Sequence, residues 1–313
     1  MRPSTENSAA ATKYCGRFAP SPTGPLHFGS LVAAVASFLE ARCRGGRWLL
    51  RMEDLDRPRC NAEAAMAILR ALDVYGFEYD GPVVWQAQRE DAYAAALEQL
   101  QAQSMVYACA CSRRELADSR LGPDGAAVYP GTCRAGLPAG RSARAWRVSV
   151  TDEEMSFDDA IQGCAQCNPA ADFGDFVVKR ADGLFAYQLA VVVDDAEAGV
   201  TDIVRGADLF HSTFRQIILQ RLLEVPTPRY AHVPVVTNAA GEKLSKQTLA
   251  QALALDHPVP VLWQALDFLG QAPPAGLQSA SLPELWSWAR AHWQLEQVPR
   301  TMAHRQNGET DVA

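Results

Sequence analysis

Two short stretches, separated by most of the chain, make chemical sense only if the fold brings them together. The first is Pro20-Ser21-Pro22-Thr23-Gly24-Pro25-Leu26-His27-Phe28-Gly29-Ser30, a loop opening onto an apolar pattern of helical spacing. The second is Lys243-Leu244-Ser245-Lys246-Gln247. Gly24 and Gly29 let the backbone approach a ligand closely, and the helix N-terminus that begins at His27 favours anions. Lys243 and Lys246 supply mobile point charges suited to phosphate groups. Alone, His27 reads as a core histidine and the lysines as a solvated turn. As a pair they ask for a nucleotide-binding sheet with one part on each half, because chemistry at a phosphate relies on positioning and electrostatic stabilisation.

The intervening chain fits that demand. A strand over 14–19 ends at the Pro/Gly loop, and Leu31, Val35, Phe38 and Leu39 mark a helix over 26–42 that Gly45-Gly46 ends. A strand over 48–52 runs into Glu53-Asp54-Leu55-Asp56, Asn61 is suited to cap a helix to about 75, and another helix covers 89–103. Strand, helix, strand, helix is the doubly wound α/β pattern, in which ligands sit at the carboxyl ends of the strands. From about 105 to 185 the chain becomes rich in Cys, Gly, Pro and Arg, with short strands at 145–150 and 176–179, and reads as an inserted domain. The α/β pattern resumes with an expected buried strand over 187–193, strands at 202–205 and 232–236, and a helix over 212–223. Helices at 258–269 and 282–292 follow, and the chain is expected to trail off after 300. The implied segments are a disordered tail (1–13), a first catalytic half (14–104), the insertion (105–185), a second catalytic half (186–250), a helical region (251–300) and a tail (301–313).

The 313 residues, 48% of them hydrophobic, can bury a sizeable core, and a formal net charge of −7 argues against a chain coated in basic patches. One local basic face is expected, where Arg113, Arg114, Arg120, Arg134, Arg141, Arg144 and Arg147 meet only three acids, Glu115, Asp118 and Asp124. The polar N-terminus reads as neither signal peptide nor anchor, and no apolar run approaches the ~18 residues that span a bilayer. Eight cysteines in such a chain point to a reducing cytoplasm, with thiols that bind metal or lie buried. Cys109, Cys111 and Cys133 form a three-thiolate group in the insertion, whereas a closed zinc site wants four ligands. No histidine lies between His27 and His211, so the fourth ligand is another residue type. Cys164 and Cys167, spaced CxxC, are a rival half-site, a second partial site or plain surface thiols, while Cys15, Cys43 and Cys60 read as isolated structural residues.

The two opening stretches resemble the HIGH and KMSKS signatures of class I aminoacyl-tRNA synthetases. Gly16-Arg17-Phe18-Ala19-Pro20-Ser21-Pro22-Thr23-Gly24 is similar to the start of glutamyl-tRNA synthetases. So are Arg51-Met52-Glu53-Asp54-Leu55-Asp56, the run from Ala186 to Asp195, and Val204-Arg205-Gly206-Ala207-Asp208-Leu209. The resemblance covers about three quarters of the chain and implies the fold class: α/β, a Rossmann-like doubly wound parallel sheet of class I synthetase type, with an inserted zinc-containing α+β domain and a short C-terminal helical region. Two features favour the shortened branch of this family, the Leu26-His27-Phe28-Gly29-Ser30 variant and the mere 67 residues (313 minus 246) that follow Lys246. Ser30 and Gln247 depart from the general signatures, standing where HIGH ends in His and KMSKS in Ser.

By that resemblance Arg17 and Arg205 hold the two carboxylates of glutamate, a task that suits planar guanidinium forks. Glu53 takes the α-ammonium, and Ser21 and Tyr187 add hydrogen bonds. His27, Lys243 and Lys246 are the catalytic set, with His27, Gly29 and Lys246 on ATP and Mg2+ accompanying the nucleotide. One structural Zn2+ is expected on Cys109, Cys111, Cys133 and, by the family pattern, Tyr129. The implied activity of this ligase-type, adenylate-forming enzyme is ATP-dependent activation of L-glutamate and glutamyl transfer to the queuosine base in the anticodon of tRNA(Asp). A cytoplasmic monomer without membrane contact is implied. The alternatives are a compact glutamyl-tRNA synthetase charging the tRNA 3′ end, a small-molecule ligase or nucleotidyltransferase, and a zinc-containing RNA-binding module without catalysis.

Overall fold

The structure, a computed structural model, describes residues 13–237 and 251–305. Lys243, Lys246 and Gln247 lie outside the described residues. β1 (Cys15–Phe18) leads through the Pro/Gly loop into α1 (Phe28–Cys43), and the chain returns as β2 (Arg47–Met52), α2 (Ala62–Val74), β3 (Val84–Trp85) and α3 (Glu90–Ala102). Asn61 caps α2 as expected, its side-chain oxygen accepting from the Ala64 N–H at 2.7 Å. His27 caps α1, its Nδ1 accepting from the Ser30 N–H at 3.3 Å.

The next span holds β4 (Val106–Cys109), β5 (Ala145–Val148), β6 (Met155–Asp159), β7 (Gly163–Cys167), the single turn α4 (Pro169–Asp172) and β8 (Phe176–Lys179). It is followed by α5 (Tyr187–Glu197), β9 (Asp202–Gly206), α6 (Ser212–Leu222), β10 (Arg229–Val233) and β11 (Val235–Thr237). After α7 (Pro258–Phe268) and α8 (Leu282–His292) comes β12 (Ala303–Arg305). β4, β5 and β8 form an antiparallel sheet of their own. The hairpin of β6 and β7 does not join it: β6 lies parallel to β10, extending the order to β9-β10-β6-β7. The other half-sheet is parallel in the order β1-β2-β3. Cys15 stitches the halves together, its carbonyl accepting from the Thr201 N–H at 2.9 Å and its N–H donating to Thr201 Oγ1 at 2.8 Å.

Strand alternation decides what faces what. Phe18, Trp48, Leu50, Met52, Val204 and Ala231 enter one core with α1, α2, α7 and α8, where Phe38 meets the Trp48 and Trp286 rings edge-on. Ile203 and Tyr230 enter the other with α3, α5 and α6. Arg17, Arg51, Arg205 and His232 alternate with the first set, so their side chains leave the sheet on the α5 side, and all four are buried. No described helix is long and apolar enough to cross a membrane.

Three sequence expectations are corrected. The run at 187–193 is not a strand but the start of α5. Its Leu-Ala-Val-Val-Val stretch is buried on every side, and a continuous apolar run does not by its pattern separate a buried strand from a buried helix. The expected strand at 232–236 is two strands, broken at Pro234, which has no N–H to donate. Beyond Arg300 the chain does not trail off; β12 pairs in parallel with β11, Val235 opposite Ala303.

Candidate active site

A cleft of about 310 Å3 opens at the carboxyl ends of β1, β2, β9 and β10. Arg17, Ser21, His27, Gly29, Glu53, Tyr187 and Arg205 all line it, so each described residue expected to bind glutamate or ATP faces one space. The elements explain the convergence: Arg17 lies near the end of β1, Glu53 follows β2, Tyr187 opens α5 and Arg205 lies near the end of β9. His27 and Gly29 sit at the start of α1 and line the cleft, and a helix N-terminus favours anions. A Cβ on Gly29 would stand 3.2–3.3 Å from the His27 ring, so a larger residue would displace it.

One end of the cleft is an ion network. The Asp195 carboxylate accepts from Arg51 at 2.6 Å and, more loosely, from Arg17 Nε at 3.3 Å. Burial opposes the Asp195 charge, but the two guanidiniums outweigh it and hold the carboxyl below its usual range. Arg51 also donates to Glu53 at 3.3 Å. Burial pushes the Glu53 carboxyl up, and Arg51 and Arg17 only partly pull it back, so Glu53 gains most from a further cation beside it. Behind this layer Asp194 accepts from Gln86, Arg89 and Tyr93.

The other end is built differently. Arg205 Nε donates to His232 Nε2 at 3.0 Å, and its terminal nitrogens donate to Thr213 Oγ1 at 2.9 Å, to Tyr187 Oη at 3.4 Å and to the Leu209 carbonyl at 3.4 Å. His232 Nδ1 meets Asp159 Oδ2 at 2.6 Å, and both side chains are fully buried. Burial, with Arg205 adding to it and Asp159 opposing, pushes His232 down to about 4, so the ring is neutral.

Asp195, Arg51, His232 and Asp159 carried no assigned role in the sequence. Asp194-Asp195 beside an apolar run was a usable sign, since buried acids need cationic partners. Nothing local marks Asp159, which lies 73 residues from His232.

A second grouping lies at the end of β4 and beyond it, where Cys109, Cys111 and Cys133 present sulfurs within 4.8 Å of one another. Tyr129 Oη lies 3.4 Å from Cys109 Sγ and 3.5 Å from Cys111 Sγ, and Cys111 Sγ is 3.7 Å from Cys133 Sγ. A tetrahedral ion with zinc–sulfur and zinc–oxygen lengths of about 2.3 and 2.0 Å needs S···S near 3.8 Å and S···O near 3.5 Å. The three measured separations, two S···O and one S···S, fall at those values. Arg147 stacks on the Tyr129 ring at 3.8 Å and donates to Cys109 Sγ at 3.3 Å, favouring an anionic cluster. Cys164 and Cys167 are not part of it. Three apart on β7, they point to opposite faces, Cys164 exposed and Cys167 buried. Cys15 is buried, Cys60 half-buried and Cys43 exposed, all three as free thiols.

The expected basic face is smaller than the count of arginines suggested. Arg147 is buried against Tyr129, Arg134 is paired with Asp175, and Arg141 with Glu115 at 2.9 Å. Arg113, Arg114, Arg120 and Arg144 remain exposed.

Residues 14–270 match the catalytic-domain model of class I tRNA synthetases (E and Q). The chain is 61% identical over 293 residues to a glutamyl-Q tRNA(Asp) synthetase of Aromatoleum aromaticum, covering 94% of this chain and 93% of that protein. It is likewise 61% identical over 284 residues to one from Thiobacillus denitrificans, covering 91% and 94%. Among solved structures, a glutamate-tRNA synthetase from Elizabethkingia anophelis superposes with a TM-score of 0.78 over 95% of this chain and 68% of that one, at 23% identity, a likeness of fold.

Proposed function

We propose that this chain, which belongs to the class I tRNA synthetase family (E and Q) and to its glutamyl-Q tRNA(Asp) branch, activates L-glutamate with ATP and transfers glutamyl to the queuosine base of tRNA(Asp). Membership makes it a ligase-type synthetase; the particular acceptor is taken from the names of its relatives. The observation that carries the reading is the single cleft in which guanidiniums, a buried carboxyl and a helix N-terminus converge.

In this reading a carboxylate oxygen of glutamate attacks the α-phosphorus of ATP, and pyrophosphate leaves. Arg17 and Arg205 hold the substrate carboxylates, with Tyr187 and Ser21 adding hydrogen bonds. Glu53 accepts from the α-ammonium, whose charge lets that buried carboxyl ionise. The start of α1, with His27 and Gly29, receives the nucleotide, and Lys243 and Lys246 neutralise the charge that builds on the Mg2+-bound phosphates. A hydroxyl of the queuosine cyclopentene diol then attacks the activated carbonyl. An ester forms, AMP leaves, and the hydroxyl proton passes to solvent. Arg113, Arg114, Arg120 and Arg144 supply phosphate contacts, so transfer weakens with salt.

Cys109, Cys111, Tyr129 and Cys133 would hold one structural Zn2+, which would supply the charge that the thiolates and phenolate need and would tie the loop at 110–144 to β4. The free thiols suit a cytoplasmic enzyme, which we take to act as a monomer.

The deciding experiment incubates the protein with ATP, labelled glutamate and tRNA that has or lacks queuosine, with the 3′-terminal adenosine intact or removed. Transfer should survive 3′ trimming and vanish without queuosine. The opposite pattern makes the protein a compact glutamyl-tRNA synthetase.

A further inference from the structure

We infer that Asp159 and His232 are positioning residues that hold Arg205 oriented and uncompensated for a substrate carboxylate. The inference rests on the reading of Arg205 as a glutamate ligand. β10 sets His232 directly beside Arg205 of β9, so the ring and the guanidinium share one face of the sheet. Arg205 Nε can only donate, hence His232 Nε2 must accept, and the ring proton must sit on Nδ1, pointing at Asp159.

Asp159 is itself fixed. Its Oδ1 accepts from the N–H groups of Ile161 at 3.0 Å, Gln162 at 2.9 Å and His232 at 3.1 Å, leaving Oδ2 for the ring. The loop after β6 therefore dictates the tautomer of a histidine on β10, which dictates the angle of an arginine on β9.

The contrast with Arg17 shows what this arrangement achieves. Arg17 is bonded to a carboxylate, Asp195, which it shares with Arg51 and which offsets part of its charge. Among the described residues the hydrogen-bond partners of Arg205 are all neutral: an imidazole, the Thr213 hydroxyl, the Leu209 carbonyl and the Tyr187 phenol. A carboxylate in the place of His232 would orient the guanidinium equally well but would compete with the substrate for its charge. A neutral acceptor orients it and leaves the charge available.

The sharpest test is Asp159→Asn. The three backbone N–H groups keep the amide oxygen of the new side chain where Oδ1 was, so its NH2 faces His232 Nδ1. The ring must then carry its proton on Nε2, pointing at Arg205 Nε–H, and donor meets donor. Glutamate-dependent pyrophosphate exchange should show KM for glutamate raised about ten- to a hundredfold, the scale seen when a partner that orients a metal ligand is lost. KM for ATP and the melting temperature should stay close to wild type. His232→Leu should raise the glutamate KM similarly, and His232→Gln, whose amide oxygen can still accept from Arg205, should recover most of it.

A folded Asp159→Asn protein with unchanged glutamate KM overturns the inference, as do glutamate and ATP KM rising together or a His232→Gln protein as impaired as His232→Leu. If His232→Leu does not fold, Asp159→Asn alone decides. Arg205→Ala separates the two levels. A large glutamate effect there beside normal Asp159→Asn kinetics removes only the positioning role, whereas no effect of Arg205→Ala removes the ligand reading and this inference with it.

Discussion

Side chains from β1, the loop after β2, α5 and β9 converge on the cleft, whereas the thiol cluster takes all its members from residues 109–133. In the cleft the buried charges arrive already partnered: Asp195 holds Arg51 and Arg17, and His232 with Thr213 holds Arg205. In the cluster three thiols and a phenol bond chiefly to one another, a spacing that suits a cation at their centre. The first site is pre-formed by long-range packing and needs no ligand for its shape. The second has its shape from local spacing, and its donor set is of the kind that could hold an ion.

Asp195→Ala should have the largest effect, because it takes away the carboxylate that two buried guanidiniums share; denaturant unfolding should show a loss of about 3–5 kcal/mol. The same residue sets a pH dependence. Its folded pKa lies below the unfolded value, so its contribution is present above about pH 4 and lost as pH falls through the folded value. Asp195→Asn should therefore lower stability at neutral pH and flatten the acid limb of the stability curve.

Next in size, Arg205→Ala should cost about 2–5 kcal/mol in glutamate-dependent pyrophosphate exchange, the range for removing one partner of a buried charge contact. Near wild-type exchange would place glutamate elsewhere. Lys246→Ala should slow adenylate formation by roughly 10²-fold with an unchanged melting temperature, as expected for a lost contact to developing charge. An unchanged rate would return that loop to a solvated turn.

The cluster predictions sharpen the other half of the contrast. Metal analysis should find about one zinc per chain, as a closed four-ligand site requires. Tyr129→Phe should release that ion to a chelator at lower concentrations than wild type, while pyrophosphate exchange in the cleft persists. The smallest effect belongs to joint replacement of Cys164 and Cys167 by Ser, which should keep the metal and change stability by only about 1 kcal/mol. Metal loss in that variant would make CxxC the true half-site.

Local signals were readable and distant ones were not. Asn61 capped its helix, the apolar spacing from Leu31 to Leu39 gave α1, and the three cysteines came together as their spacing implied. The run at 187–193 misled because Val191, Val192 and Val193 favour strands and burial on all sides hides helical periodicity. Asp194 and Asp195, which directly follow that run, make sense only once Arg51 and Arg89 have been folded against them. Counting arginines overstated the basic face, since Arg147 serves the cluster from beneath. The Asp159–His232 contact depends on β6 joining β10, a tertiary pairing with no mark in either segment.

That pairing bears on how the protein could be taken apart. The segment 105–185 invites excision or exchange as a unit, since β4, β5 and β8 form a sheet of their own. Yet the cut would also remove β6 and β7, expose β10 as an unpaired edge open to association with other chains, and withdraw Asp159 from behind His232. A shortened or chimeric version must keep 155–167 in place. The boundary of what is exchangeable runs through the segment 105–185 rather than around it.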